Sequence, residues 1–389
     1  MNVLGLYLLG GVRTGGNKDY IDILEGLSSR GIKVLVLCSA AFDYRASFFS
    51  RLDLPIRRRW KFMPLSCLFK KGLKKHFTSI SGKLAAFYGG RIDYIVNFGD
   101  THLKAALYLK KKTGAALLHG FRAGDVDRGR ILRKAGDMRP GEYALSFLFE
   151  GINRSREKQA AKHARCLTFL NQSDRESFLR RTRCYGAKTA VIPNHIGPPG
   201  CPDEYKNKNR PVSLKQILYA GTVSSSKGLW DLLRAAALLK SRGHGDLRYY
   251  LLGRLENTGP TMELVRKLDI ADQLAFEGYQ NPFPYLVRCA LFVYPTLYDS
   301  FGKVITEALH AGCPVIASSA AGPLEILRYP ELLFKPGNYA EIADRIERCL
   351  TDGDFYQRVR SLCAERASHY YFDWAARYES FLQDHLPPP

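Results

Sequence analysis

The chain has 389 residues, 46% of them hydrophobic, with nine cysteines and a net charge of +21. That length predicts two α/β-sized domains rather than one core, and the composition excludes a disordered chain. No run of about 18 uncharged apolar residues is present, so no membrane-crossing helix is expected, and cysteines with neither a CxxC pair nor a regular framework predict reduced thiols without a zinc site.

The charge is lopsided. Residues 1–200 carry 36 Lys/Arg against 15 Asp/Glu, whereas residues 201–389 carry 22 of each. An excess confined to the N-terminal half points to a polyanionic partner for that half: an anionic membrane, a phosphorylated acceptor or nucleic acid.

In chain order, "MNVLGLYLLGG" reads as a first β-strand rather than a signal peptide, because it lacks a basic leader. A Gly-rich loop, a helix "KDYIDILEGLSSRG" ending at Gly31 and a strand "KVLVLCS" follow. "DYIVNFG", "AALLHG" and "CLTFLN" predict further strands, and Ser173 or Asp174 is available to cap the helix "SDRESFLRR". "AVIPN" closes an N-terminal domain at residues 1–196. Residues 197–212 are dense in Pro, Gly and charge, as a linker is. The second domain, residues 213–369, restarts with strand "QILYAG" and helix "LWDLLRAAALLKSRG". Strand "YYLLG", helix "TMELVRKL" and strands "LAFEG" and "LFVYP" continue it, and helix "AEIADRIERCLTD" comes near its end. A separate amphipathic helix is expected within residues 370–386. The alternation predicts two doubly wound domains, whose ligands sit at the carboxyl ends of strands.

Two stretches carry chemistry. In "YAGTVSSSKGLWDLL", residues 219–233, Ser224 to Ser226 and Gly228 leave backbone N–H groups unobstructed at a helix start, and Lys227 adds a positive charge. That suits a phosphate, although the Walker spacing is absent; an ordinary strand–helix turn with a solvated lysine is the alternative. In "LYDSFGKVITEALHAGCPVIAS", Ser300 is expected to cap a helix from Phe301 to about Ala311, with Val304, Ala308 and Ala311 as its apolar stripe. Gly302 permits close backbone approach. Asp299 and Glu307, eight residues apart, suit the hydroxyls of a sugar or ribose, unless Glu307 merely caps a neighbouring loop.

These stretches resemble the retaining glycosyltransferases of family four, which have the GT-B fold and an E-x7-E motif. "GGNKDYIDILEGLSSRG" looks like that family's first Gly-Gly loop and helix, "AALLHG" like the strand ending in its histidine, and "VIPNHIG" like its "VIPNGVD". "AGTVSSSKG" resembles "GRLxxxKG", and "LLGRLENTG", "LAFEGYQN" and "AAGPLEIL" match its later Gly-turns. The resemblance implies an α/β GT-B fold: two Rossmann-like domains facing a cleft, with the C-terminal helix crossing back to the N-terminal domain. It implies that Glu307 holds the donor ribose, that Asp299 touches the transferred sugar, and that Lys227 neutralises the diphosphate. It further implies that the N–H groups of Phe301, Gly302, Lys303 and Val304 add helix-dipole stabilisation. Gly15 and Gly16 would approach the phosphates, His119 would sit over the donor sugar, and no cofactor or metal would be needed. Two departures stand out: Thr222 occupies the place of a family arginine, for which Arg254 could substitute, and Asp299 is one methylene shorter than the family's glutamate.

Residues 51–83 hold ten Lys/Arg and one acid, interleaved with bulky apolar residues. Arg57, Arg58, Arg59, Trp60, Lys61, Lys70, Lys71, Lys74 and Lys75 suit an interfacial helix on anionic lipid; nucleic acid or a solvated face over core aromatics are the alternatives. The combined expectation is a cytoplasmic enzyme, peripheral on the inner face of the membrane. It would transfer a sugar from a UDP- or GDP-sugar to a lipid-linked oligosaccharide or glycolipid in cell-surface polysaccharide biosynthesis, without a nucleic-acid partner. A soluble small-molecule acceptor and a non-catalytic nucleotide-sugar-binding protein are the competing expectations.

Overall fold

The computed structural model describes residues 1–7, 15–39, 50–54, 65–99, 102–122, 124–134, 140–186, 188–194, 213–256 and 258–386. The linker at 197–212 and residues 57–61 therefore lie outside the described residues. The chain divides into two compact units, one of Met1–Val126, Phe147–Pro193 and Asp373–Pro389, the other of Asp127–Ser146 and Asn194–Phe372.

From the N-terminus the elements are β1 (Asn2–Tyr7), α1 (Gly15–Ser29), β2 (Lys33–Ser39), β3 (Ser50–Leu54), α2 (Leu65–Tyr88), β4 (Tyr94–Phe98), α3 (Leu103–Thr113) and β5 (Ala116–Gly120). Then come α4 (Asp125–Lys134), α5 (Pro140–His163), β6 (Cys166–Phe169), α6 (Gln172–Thr182) and β7 (Lys188–Val191). The seven strands form one parallel sheet in the order β3-β2-β1-β4-β5-β6-β7. Strand order reverses between β1 and β4, where doubly wound folds place a ligand crevice. β4, β5 and β6 are buried throughout, as strands covered by helices on both faces must be. The Tyr20 hydroxyl pins α1 over the reversal, donating to Val96 O at 3.0 Å and accepting from Leu6 N at 2.7 Å.

Two sequence expectations are corrected here. Neither Ser173 nor Asp174 caps α6. Asn171 does, its Oδ1 accepting from Asp174 N at 2.7 Å while its Nδ2 donates to the Asp174 carboxylate at 2.9 Å, a reciprocal cap that satisfies both side chains. In the basic stretch the side chains of residues 53–69 lie outside the described ones, and from Lys70 onward the larger apolar side chains pack inward rather than forming an outward apolar face. Leu73, Ile80, Leu84 and Tyr88 of α2 are buried in the core, and Phe77 packs against it with its ring edge-to-face on Tyr108. Lys71, Lys74 and Lys75 lie exposed on the opposite face, and Lys70 is half-exposed.

The second unit contains β8 (Ser213–Ala220), α7 (Leu229–Ser241), β9 (Arg248–Leu252), α8 (Thr258–Leu268), β10 (Leu274–Gly278), α9 (Phe283–Leu286) and β11 (Cys289–Tyr294). α10 (Lys303–His310), β12 (Val315–Ser318), α11 (Ala321–Leu327), β13 (Leu333–Phe334), α12 (Tyr339–Thr351) and α13 (Gly353–Ser368) follow. Its six parallel strands run β10-β9-β8-β11-β12-β13, so order reverses between β8 and β11. The last helix, α14 (Trp374–Gln383), returns to the first unit and lies on α1. Close approach there depends on Gly26, where an added Cβ would stand 2.5 Å from that of Ala375. Arg30 pairs with Asp373 at 3.0 Å and with Glu379, and Arg165 Nε donates to His385 O at 2.7 Å. Among the described residues no helix is long and apolar enough to cross a membrane, and the described cysteines are unbridged.

Candidate active site

The reversal in the second sheet brings together the two stretches singled out in the sequence. One follows β8 and the other follows β11, so both loops leave the carboxyl ends of the central strands. Glycine allows them to touch backbone to backbone. Gly228 has φ +75° and a Cβ on it would lie 1.9 Å from Pro295 O, while Leu297 N donates to Ser226 O at 3.2 Å. Gly253, at the end of β9, has φ +128°, and a Cβ there would lie 1.7 Å from Gly221 O. No side chain other than hydrogen fits either place.

This packing delivers Lys227 to Asp299. Lys227 Nζ donates to Asp299 Oδ2 at 2.6 Å, the Tyr294 hydroxyl donates to the same oxygen at 2.6 Å, and Phe301 N donates to Oδ1 at 3.1 Å. The Asp299 carbonyl accepts from Gly322 N at 2.8 Å, which fixes the backbone as well. Burial alone would push the Asp299 carboxyl up. The Lys227 ammonium, the Tyr294 hydroxyl and the Phe301 N–H outweigh it and hold the group below the usual carboxylate range. Burial, reinforced by the Asp299 charge, drives the Tyr294 phenol well above its ordinary value, so it stays a donor.

α10 differs from its sequence expectation at both its start and its stripe. It begins at Lys303, and Gly302, with φ +90°, is the residue that turns the chain into it. Ser300 does not cap it; its hydroxyl lies 3.1 Å from that of Tyr298. The side-chain oxygen meeting the approaching backbone belongs to Asp299, whose shorter reach closes an Asx-type turn onto Phe301 N. The buried stripe is Ile305, Thr306, Ala308 and Leu309, whereas Val304 and Ala311 are half-buried. Lys303, Val304 and Glu307 fall at i, i+1 and i+4 and share the half-exposed face, so Glu307 is not forced into the apolar side of its helix.

The remaining candidates are dispersed. Thr222 is exposed, and its carbonyl accepts from the Tyr219 hydroxyl at 2.5 Å. Arg254 stands beside it through Val223 N, which donates to Arg254 O at 3.0 Å. The Arg254 guanidinium is 81% exposed and pairs with Glu256 at 2.7 Å. In the first unit Gly15 and Gly16 open α1. His119 is fully buried near the end of β5. Asn97 Nδ2 lies 2.8 Å from His119 Nδ1 and donates to Gly99 O at 3.2 Å, which ties the His119 ring to the end of β4. His102 lies nearby, and burial with the neighbouring His119 lowers it to about 4. Among the described residues no three His, Cys, Asp or Glu side chains form a metal-type group.

Sequence reasoning missed Tyr294 and Asn97. Each is one residue inside an apolar strand, and nothing in "LFVYP" or "DYIVNFG" marks its hydroxyl or amide as aimed at a site. It also missed the pair between buried Asp19 and Arg122, whose charges meet at 2.9 Å across 103 positions of chain.

Residues 202–365 match the sequence model of the family described as "Glycosyl transferases group 1". A 2-deoxystreptamine N-acetyl-D-glucosaminyltransferase of Niallia circulans is 27% identical over 41% of this chain and 42% of its own. The N-acetylgalactosamine-N,N'-diacetylbacillosaminyl-diphospho-undecaprenol 4-alpha-N-acetylgalactosaminyltransferase of Campylobacter jejuni is 25% identical over 39% of this chain and 42% of its own. The match thus spans about two-fifths of the length of either relative. Similarity to solved structures runs the full length. A sucrose-phosphate synthase from Thermosynechococcus elongatus superposes with a TM-score of 0.77, covering 99% of both chains at 19% identity. Anabaena Alr3699/HepE in complex with UDP-glucose superposes with a TM-score of 0.68, covering 99% of this chain and 100% of that one at 17% identity. Over residues 202–365 the chain is thus similar to the group 1 glycosyl transferases, and over its full length it has the GT-B fold.

Proposed function

We propose that the protein is a retaining, metal-independent glycosyltransferase that moves a sugar from a UDP- or GDP-sugar to a membrane-associated acceptor, such as a lipid-linked oligosaccharide or glycolipid. The observation that carries this reading is the Lys227–Asp299 pair, held at 2.6 Å where strand order reverses in the second sheet. Such a place collects a cation and a carboxylate where a ligand with both phosphates and hydroxyls would lie. A donor's diphosphate competes for the Lys227 ammonium, and Asp299, already ionised and released from it, accepts from a hydroxyl of the transferred sugar. The first turn of α10 adds its N–H dipoles to the diphosphate, where charge builds as the nucleoside diphosphate leaves. Glu307, on the half-exposed face of the same helix, takes the ribose hydroxyls. In the first unit the reading assigns His119 to the sugar and Gly15 and Gly16 to the phosphates on the family resemblance alone.

The undecaprenol-linked substrate in the name of the Campylobacter jejuni relative supports a lipid-linked acceptor, and so does the positive charge of residues 1–200. The setting is then the inner face of a membrane, in cell-surface polysaccharide or glycolipid synthesis. The 2-deoxystreptamine of the Niallia circulans relative supports a soluble acceptor as the second reading. A donor screen following nucleoside diphosphate release over UDP-, GDP- and ADP-sugars tests the proposal. Release from one UDP- or GDP-sugar, abolished by Lys227→Ala, is expected; silence on all donors with nucleotide binding intact overturns the enzymatic reading. Product made from a lipid-linked acceptor but not from a water-soluble one decides between the two acceptors.

A further inference from the structure

Helix α5 is built inside out over its first three turns. Between residues 143 and 153 the positions withdrawn from solvent are Ser146, Glu150 and Asn153, spaced four and three residues apart, so the packed stripe is polar. Arg133 Nη1 donates to Ser146 Oγ at 3.1 Å. The rest of the circumference is apolar and open: Tyr143, Leu145, Phe147, Leu148, Phe149 and Ile152 are 38–60% exposed. A helix that packs on a core in water shows the opposite arrangement. Isolated exposed apolar residues need no explanation, but six within ten residues of one helix form a patch of the kind that marks an interaction surface.

The charges around this patch select its occupant. Arg154, Arg156, Lys158 and Lys162 follow it on α5 itself. Glu150 pairs with Arg154 at 2.8 Å, and Glu157 pairs with Arg181 at 2.6 Å, so these two acids of α5 are engaged while Lys158 and Lys162 stay exposed. A second copy of the chain would bring the same cations to the same place and be opposed by them. An anionic bilayer complements them. Long cationic side chains reach its phosphates while aromatic and leucine side chains enter the acyl boundary.

We propose that α5 is a bilayer-insertion element, with Phe147, Leu148, Phe149 and Ile152 entering the acyl boundary of an anionic leaflet. The apolar anchor is thus on α5, whereas Leu73, Ile80, Leu84 and Tyr88 of α2 serve the core and its lysines Lys71, Lys74 and Lys75 lie exposed. The inference rests on the reading of a membrane-held acceptor for its purpose, but its test needs neither donor nor acceptor.

The full chain is sedimented with phosphatidylcholine vesicles made with and without phosphatidylglycerol. Binding is expected with the anionic vesicles, and Phe147→Ser/Leu148→Ser/Phe149→Ser is expected to lower the partition coefficient on the order of a hundredfold. The melting temperature of that variant should stay with the parent, because the replaced side chains are solvent-exposed. As a second measurement, Leu148→Trp should add a fluorescence component that is blue-shifted by anionic vesicles and quenched by brominated acyl chains. Equal vesicle binding by parent and triple variant, or emission of the Leu148→Trp protein that vesicles leave unmoved, overturns the proposal. So does a dimer in solution that the triple substitution dissolves, which would make a second copy the occupant. Nucleotide binding is measured on the same preparations without vesicles. Its failure would strike the donor-site reading and leave this one standing, whereas failure of vesicle binding alone does the reverse.

Discussion

Lys227→Ala removes the ammonium 2.6 Å from Asp299 Oδ2 and leaves that carboxylate with the Tyr294 hydroxyl and the Phe301 N–H. The two side chains are 25% and 23% exposed, so the pair is neither sealed in the interior nor free on the surface. Removing one partner of a fully buried pair costs about 3–5 kcal/mol and an exposed pair contributes about 0–1 kcal/mol. Partial exposure and two surviving donors place the stability loss at about 1–2 kcal/mol. Turnover should fall much further, by about 10²–10³ in kcat, because a preorganised positive charge is lost where the leaving group becomes negative. The double variant Lys227→Ala/Asp299→Asn separates the two effects. Without the uncompensated charge, stability should return to within about 0.5 kcal/mol of the parent, while turnover stays low.

The pH dependence has a definite sign. Asp299 is depressed in the folded protein, so its contribution is present above the unfolded carboxylate value of about 4 and is lost as pH falls through the lower folded value. In Lys227→Ala the largest opposing influence is gone, and the acid loss should begin at higher pH. Urea titrations at several pH values, with nucleoside diphosphate release on the same preparations, measure all of this. Turnover within about threefold of the parent in Lys227→Ala, or turnover restored together with stability in the double variant, would refute the reasoning.

Glu307→Ala should raise the nucleotide-sugar KM by about tenfold and cost no more than about 1 kcal/mol of stability, since the replaced side chain is half-exposed; isothermal titration with the nucleotide and a urea titration check it. Gly253→Ala forces a Cβ to within 1.7 Å of Gly221 O at a φ of +128°, and should cost more than about 2 kcal/mol in a urea titration, or prevent folding. His102, lowered to about 4 by burial and by His119, stays neutral in the folded chain while its unfolded form takes a proton near pH 6.5. Stability should therefore decline by about 2–3 kcal/mol between pH 6.5 and 4, and His102→Gln should flatten that decline in thermal melts.

Strands buried on both faces were legible because a continuous apolar run such as "KVLVLCS" has few alternatives, and β2 spans those seven residues. β3 was not legible: "SRLDL" alternates charge with leucine at the edge of a sheet, where only one side needs pairing. The start of α10 was misjudged because "DSFG" offers two capping residues, and the choice is made by Gly302 entering the left-handed region, which leaves Asp299 as the acceptor for Phe301 N. Lys227 and Asp299 were each marked by their loops. That they form one ion pair is a property of strand order, which no local pattern contains. α5 escaped notice because its apolar residues look like core until burial reveals a polar stripe on the packed side.

The return of α14 to the first unit has a consequence for how the protein could be recombined. Residues 202–365, which carry the family match, fall within one unbroken stretch of the second unit, whereas the first unit is assembled from three separated segments. A chimera that keeps the first unit of one protein and takes the 194–372 stretch of another must therefore splice at both ends of the inserted piece and retain residues 373–386 from the parent of the first unit. A single crossover would join a foreign C-terminal helix to α1, where a Cβ on Gly26 would stand 2.5 Å from that of Ala375 and Arg30 meets Asp373 and Glu379. Residues 373–386 thus report on the integrity of the chain's first helix, and an exchange of the second unit made by one crossover would leave a faulty seam in the first.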